Sequence, residues 1–225
     1  MQLIPTIHAA DYHFVSINNL TEQKLGKAVI SEVYRRIGMN IEVTSYSGKR
    51  AEFEANEGRK DGEIMRVWSY GNNNPNLIRV PTPYLTLITT AFIKKNNTIK
   101  LNKRTDLANY RLARVMGLKH TEDITRGMKN VVEANSTLNM FKLLEQDIVD
   151  IALTDYVDGM HTLNQLNSNH QLTPHPKVLA HLPLYHYIHK KHHHLVDKVD
   201  AKIKEMITSG ELDKIINENR QLLFY

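Results

Sequence analysis

The sequence predicts an α/β protein made of two series of alternating strands and helices. Three features carry this reading: an apolar face of helical spacing between Thr21 and Ile37, a strand–helix–strand–helix–strand order that reaches Trp68, and the return of that order between Tyr110 and Thr154. Strands separated by helices pair in parallel through right-handed crossovers, so each series implies an open sheet with helices on both faces.

Tyr12 to Ile17 reads as the first strand. Thr21 then stands as an N-cap before Leu25, Ala28, Val29, Val33 and Ile37 on one helical face, and Gly38 follows as a stop. Alternation in IEVTSY (41–46) predicts a strand, RAEFEANEGR (50–59) a helix and EIMRVW (63–68) a strand. GNNNPN (71–76) is a cluster of turn formers, and after VPTPY a β-rich run extends from Leu85 to Lys94. The second series reads as strand Tyr110–Val115, helix His120–Met128, strand Val131–Ala134, helix Thr137–Glu145 and strand Ile151–Thr154. The two series share no apparent sequence identity, so the recurrence is architectural. A helix near Tyr156–Leu166 comes next, then a loop with Pro174 and Pro176 and the apolar stretches VLAHL and LYHYI. A long helix with Leu195, Val199, Ile203 and Met206 on one face ends at Gly210, and a shorter one with Leu212, Ile215 and Ile216 closes the chain.

Composition narrows the class. The 225 residues suffice for a sizeable core, and 41% hydrophobic with 24% charged residues is the balance of a folded globular chain. The longest apolar stretch, Tyr84 to Ile93, is interrupted by threonines and falls short of the roughly 18 to 20 residues that cross a bilayer. The opening MQLIPTIHAADYHF has no charged segment followed by a long apolar one, so no secretory signal is visible, as in a mature exported chain. The absence of cysteine removes disulfides, thiolate metal sites and a cysteine nucleophile. A net charge of +5 suits anionic partners, yet the bases are scattered among acids with no aromatic interleaving, so no nucleic-acid partner is expected.

Five stretches in order, RRIGMNIEV, GRKDGEIMRV, NLIRVPTPYLTLITTAFIKK, LLEQDIVDIALTD and IKEMITSGELDKII, resemble the bacterial extracellular solute-binding proteins of family 3, the polar amino-acid type. The resemblance covers nearly the whole chain. It implies a periplasmic binding protein-like type II fold, with two α/β lobes joined by two crossing strands, Thr89–Ile93 and Tyr185–Ile188. The implied lobes are residues 1–92 plus 188–225 and residues 93–187. It also implies a periplasmic, monomeric protein that holds an amino acid or similar small polar solute for the permease of an ABC transporter, without cofactor. A ligand-sensing receptor domain is the rival reading, though the chain contains no kinase or membrane portion. A cyclohexadienyl dehydratase-like enzyme is the third, and the lack of any GxSxG, Walker or HExxH sequence weighs against it.

Ligands of open α/β sheets sit beyond the carboxyl ends of strands, which directs attention to residues just after each one. Asp155 matches the aspartate that binds the ligand ammonium in relatives, and it reads equally as the N-cap of the helix from Tyr156. Arg66, at the end of a strand, could clamp a carboxylate or form a surface ion pair, and the family's arginine lies later, where this chain has GNNNPN. The turn MGLKHTED, with Gly117, Lys119 and Thr121, resembles the family's glycine-containing loop and would offer N–H groups to a carboxylate, or Thr121 is a plain N-cap. Trp68, Tyr70 and Tyr84 could wall a side chain or serve as core, and Asn18 and Asn19 could hydrogen-bond a ligand or simply make a turn. His186, His189 and His192 to His194 do not converge if LYHYIHKK is a strand, so no metal site is expected there.

Overall fold

The computed structural model describes residues 10–167 and 171–224; the other residues of the expected lobe spans lie outside the described residues. The first series forms β1 (Tyr12–Ile17), α1 (Thr21–Arg36), β2 (Ile41–Tyr46), α2 (Gly48–Asn56) and β3 (Gly62–Val67). β1 pairs in parallel with both β2 and β3. A 3-10 segment (Trp68–Asn73) and β4 (Leu77–Arg79) lead to β5 (Leu85–Lys94). The second series forms β6 (Leu112–Val115), α3 (Lys119–Ile124), β7 (Val131–Ala134), α4 (Thr137–Glu145) and β8 (Ile151–Asp155), with β6 parallel to both β7 and β8. After α5 (Tyr156–Gln165) come β9 (Leu172–His189), a 3-10 segment (Lys190–Leu195), α6 (Val196–Thr208) and α7 (Glu211–Phe224). The order across the sheet is β2-β1-β3-β9-β5-β8-β6-β7, with β4 paired to β9. Two parallel triplets are thus bridged by the antiparallel strands β5 and β9, which pair from Leu85 with Leu184 to Lys94 with Leu172.

α1 buries Leu25, Val29, Ile30 and Val33 as its apolar spacing requires. Its C-terminus closes with Gly38 at φ +78, Gly38 N–H donating to Arg35 and Met39 N–H to Tyr34, the paired bonds of a Schellman turn. At the other end Leu20 is the N-cap and supplies no side-chain bond; Thr21, expected as the cap, is the first helical residue. The missing cap is provided from the second triplet, where Asp158 Oδ1 accepts from Thr21 N at 3.0 Å.

Three further expectations are corrected. The helix from His120 stops at Ile124, well short of Met128, and α7 is slightly longer than α6, 14 residues against 13. The expected loop around Pro174 and Pro176 is strand. From Leu172 to Pro183, β9 pairs with β5 alone among the described residues, and the register slips twice between Thr89 and Phe92, opposite Ala180 to Pro174. A strand with one free side and local irregularity can carry prolines, because their absent N–H removes no needed bond.

The apolar core is partitioned by the two-residue period of the strands. Phe14, Tyr34, Ile64, Val199, Ile203 and Met206 belong to one cluster around the first triplet. Around the second triplet, Phe92, Ala113 and Ala152 face Met140 and Phe141 of α4 on one side. Ala91, Leu112 and Leu153, one position removed, pack with Leu107 and Ile124 on the other. Among the described residues, no helix is long and apolar enough to cross a membrane.

Gly62 starts β3 at φ +149, and a Cβ there would lie 2.1 Å from the carbonyl oxygen of Tyr187 on β9. Gly62→Ala is therefore expected to destabilise the fold by about 3 kcal/mol through strain and overpacking. Urea unfolding checks this, and a loss below about 1 kcal/mol would show that β9 can move aside.

Candidate functional site

The carboxyl ends of β1, β3, β6 and β8 converge between the two triplets. There they enclose a cavity of about 40 Å³ whose walls include Ile17, Met65, Arg66, Leu118, His120 and Asp155. Gly48 and Gly117 meet across the boundary so closely that a Cβ on Gly48 would lie 2.8 Å from Gly117 O. Ser69 Oγ adds a bond to Asp123 Oδ2 at 2.7 Å.

Arg66 is 4% exposed and fully engaged with protein. Its Nε donates to Glu63 Oε1 at 2.5 Å, Nη2 to Gly48 O at 2.8 Å and Nη1 to Gly117 O at 3.4 Å. The guanidinium also lies 4.6 Å from the Tyr70 ring centre. Glu63 is completely buried, which raises its carboxyl against the opposing charge of Arg66.

Asp155 ends β8 and is the N-cap of α5. Its Oδ2 accepts from Val157 N at 2.9 Å and Asp158 N at 3.2 Å, and Oδ1 from Ile88 N on β5 at 3.0 Å. Asp158 accepts from Thr21 N and, at 2.5 Å, from Thr137 Oγ1. Burial raises both aspartates above the ordinary carboxylate range despite these bonds.

Glu22, in the first turn of α1, differs from both. It is 4% exposed, it lines the cavity, and no donor group reaches either carboxyl oxygen; its hydrogen-bonding neighbour is the carboxyl of Asp155. Its carboxyl is pushed up to about 9, first by burial and then by the charge of Asp155 and a hydrogen bond to it, with Arg220 of α7 pulling the other way. Gln23 is tied down at both ends, accepting from Ile17 N and donating to Met65 O. His120 shares Nδ1 with Thr89 Oγ1 at 3.0 Å, and burial lowers its imidazole to about 4, so it is neutral at physiological pH.

Of the residues singled out by sequence, Asp155, Arg66 and Lys119 line the cavity, Lys119 with its Nζ 3.4 Å from Glu122. Gly117 adjoins it as an acceptor for Arg66. Thr121 is buried, with Oγ1 donating to Leu118 O. Asn18 and Asn19 line a smaller space of about 30 Å³ with Ser47, Gly48, Met116 and Ser136. Tyr84 is buried in the first cluster with its hydroxyl donating to Ile64 O, and Tyr70 lies there too. Trp68 is 51% exposed, its ring 4.6 Å from the Arg79 guanidinium. Sequence reasoning passed over Glu22, Gln23, His120 and Asp158. Glu22 and Gln23 stand in the first turn of the helix that follows the first strand, a place that points toward the cleft without telling a buried acid from a solvated one.

The histidines have local partners. His186 lies buried between Glu63 O and Tyr34 Oη, His189 Nδ1 accepts from Lys191 N, and His192 Nε2 is 2.8 Å from Asp61.

Two α/β lobes, two crossing strands and a cavity between them define the periplasmic binding protein-like type II fold. The ligand-binding core of GluR0 in complex with L-glutamate superposes with a TM-score of 0.79 at 16% identity, over 93% of this chain and 98% of that one. The amino acid ABC transporter substrate-binding protein AbpA of Streptococcus pneumoniae, bound to L-arginine, gives 0.74 at 16% identity over 95% and 96%. A histidine kinase sensor domain with similarity to periplasmic binding proteins gives 0.76 at 16% identity over 92% and 94%. In sequence, the chain is 25% identical over 200 residues to an uncharacterized protein of Shewanella oneidensis, spanning 85% of this chain and 74% of that protein. No family model matches. The likeness to AbpA and GluR0 establishes the fold that the five motifs led one to expect.

Proposed function

We propose that the protein binds a small polar solute between its lobes, outside the cytoplasmic membrane and as a single chain, and passes it to the permease of an ABC transporter. In this reading the lobes change over where the apolar clusters do, between Leu87 and Ala91 on β5 and between Ala180 and Leu182 on β9, and so earlier than the boundaries expected after residues 92 and 187. The observation that carries the reading is the convergence of four strand ends from both lobes on one buried cavity that contains Asp155 and Glu22. Binding would favour the arrangement in which both lobes touch the guest, because only there are all its contacts made. No residue of the cavity is assigned a catalytic step; the role is capture. The likeness to a kinase sensor domain supports a second reading, in which occupancy is reported and not transported.

A calorimetric and thermal-shift screen of amino acids and small polar amines tests the proposal. At least one compound is expected to bind, stabilising the fold by about 2.7 kcal/mol at a hundred times its Kd. Asp155→Asn is expected to weaken that compound at least tenfold. Silence across the whole screen would end the solute-binding reading.

A further inference from the structure

The charge balance of the cavity goes further than its position, and the inference drawn from it rests on the solute-binding reading. An amino acid needs an anchor for its carboxylate as well as its ammonium, and the anion-binding groups around the cavity are already committed. Arg66 is spent on Glu63 and on the carbonyls of Gly48 and Gly117. Lys119 faces Glu122. The N-terminus of α1 is occupied by Asp158, and that of α5 by Asp155. What remains is acidic: Glu22, Asp155 and Asp158 all line the cavity, among aliphatic neighbours such as Ile17, Leu20 and Leu87. Among the described residues that line it, Glu22 alone has buried side-chain oxygens that no donor group reaches, and its one hydrogen-bonding neighbour is another acid, Asp155.

We infer that the solute is a small aliphatic amine or diamine without a carboxylate, its ammonium group held by the carboxylate of Glu22 beside Asp155. A buried carboxylate that no donor reaches is costly, so Glu22 keeps its proton and directs it to the neighbouring carboxyl of Asp155. An arriving ammonium supplies the missing charge and donors, the Glu22 O–H bond breaks, and the proton leaves to solvent. The groups that face Glu22 are Asp155 and Asp158 from the second lobe, the Tyr84 hydroxyl from within the first, and Arg220 from α7. Of these, Arg220 alone opposes protonation, and it lines a different groove, beside α6 and α7.

The test is isothermal calorimetry on the full chain at pH 7.5. 1,4-Diaminobutane and butylamine are compared with arginine, glutamine and glutamate, in phosphate and in Tris to count released protons. An amine is expected to bind at least tenfold more tightly than any of the amino acids, with close to one proton released. Glu22→Gln is expected to lose at least tenfold in amine affinity and to abolish the proton release while its circular dichroism stays native; Glu22→Asp recovers part of both. An amino acid that binds more tightly than the amines overturns this inference and leaves the solute-binding reading standing. Amine binding indifferent to Glu22→Gln overturns it as well. No binding by either class overturns both.

Discussion

Arg66→Met is expected to lower the unfolding free energy by about 3 to 5 kcal/mol, because it strands Glu63 as an unpaired acid in the interior. Glu63 is 0% exposed and Arg66 4%, so water cannot replace the lost partner. The substitution also removes the donors to Gly48 O and Gly117 O, which tie the first lobe to the second. Methionine keeps most of the aliphatic volume, so the loss reports on charge and hydrogen bonding and less on a cavity. The double variant Glu63→Leu/Arg66→Met is expected to regain much of the deficit, since removing both charges leaves no ion to solvate. Urea unfolding of the two single variants and the double one gives the coupling directly. If Arg66 were chiefly a clamp for a ligand carboxylate, the single variant would lose binding and keep nearly all its stability. A stability loss under about 1 kcal/mol would favour that alternative.

The pair also shows where legibility in the sequence ended. Glu63 and Arg66 are three residues apart on one strand, and in a regular strand they would point to opposite faces. The pairing of β3 with β9 slips between them, which turns both side chains toward each other. No local pattern announces that slip, so Arg66 read as a ligand clamp or a surface ion pair at a strand end, and not as half of a buried one. By contrast, the two strand–helix series were legible because each helix had to bury one stripe and each strand one or two faces. Asp155 was legible both as a strand-end residue and as a cap, because both follow from its place before Tyr156. β9 was not legible over Pro174 and Pro176, since proline argues against strand unless the free side of its neighbour is known. Glu22 was hidden for a similar reason: an acid in the first turn of a helix ordinarily complements the dipole in water. Its burial depends on β8 and α5 of the other lobe, which no window around residue 22 contains.

Glu22→Gln is expected to make the protein more stable, and increasingly so as the pH rises. In the unfolded chain the carboxyl ionises near its ordinary 4.5, whereas in the fold it is held up to about 9 by burial and by Asp155. Below pH 4.5 both states carry the proton and the wild type suffers no penalty. Between those two values the unfolded state has lost the proton that the folded state keeps, so wild-type stability falls as pH rises, by up to about 1.4 kcal/mol per unit. Glutamine has no proton to lose in either state. The variant should therefore match the wild type at pH 4 and exceed it by as much as about 3 kcal/mol near pH 7, with the gain levelling off above pH 9. Asp158, also raised by burial, titrates in both proteins and largely cancels from the difference, whereas Asp155, linked to Glu22 by charge and by a hydrogen bond, shares in the pH dependence that the substitution removes. Urea unfolding at pH 4, 5.5, 7 and 8.5 measures the curve; a difference independent of pH would mean that Glu22 is not held neutral in the fold. The same titration repeated with saturating amine separates the two roles of the side chain. If Glu22 is kept for a cation, the ligand stabilises the wild type and leaves the variant unmoved, so the advantage of the variant shrinks or reverses only when the guest is present. A residue that weakens the unliganded fold while strengthening the complex is what selection for binding, and not for stability, would retain.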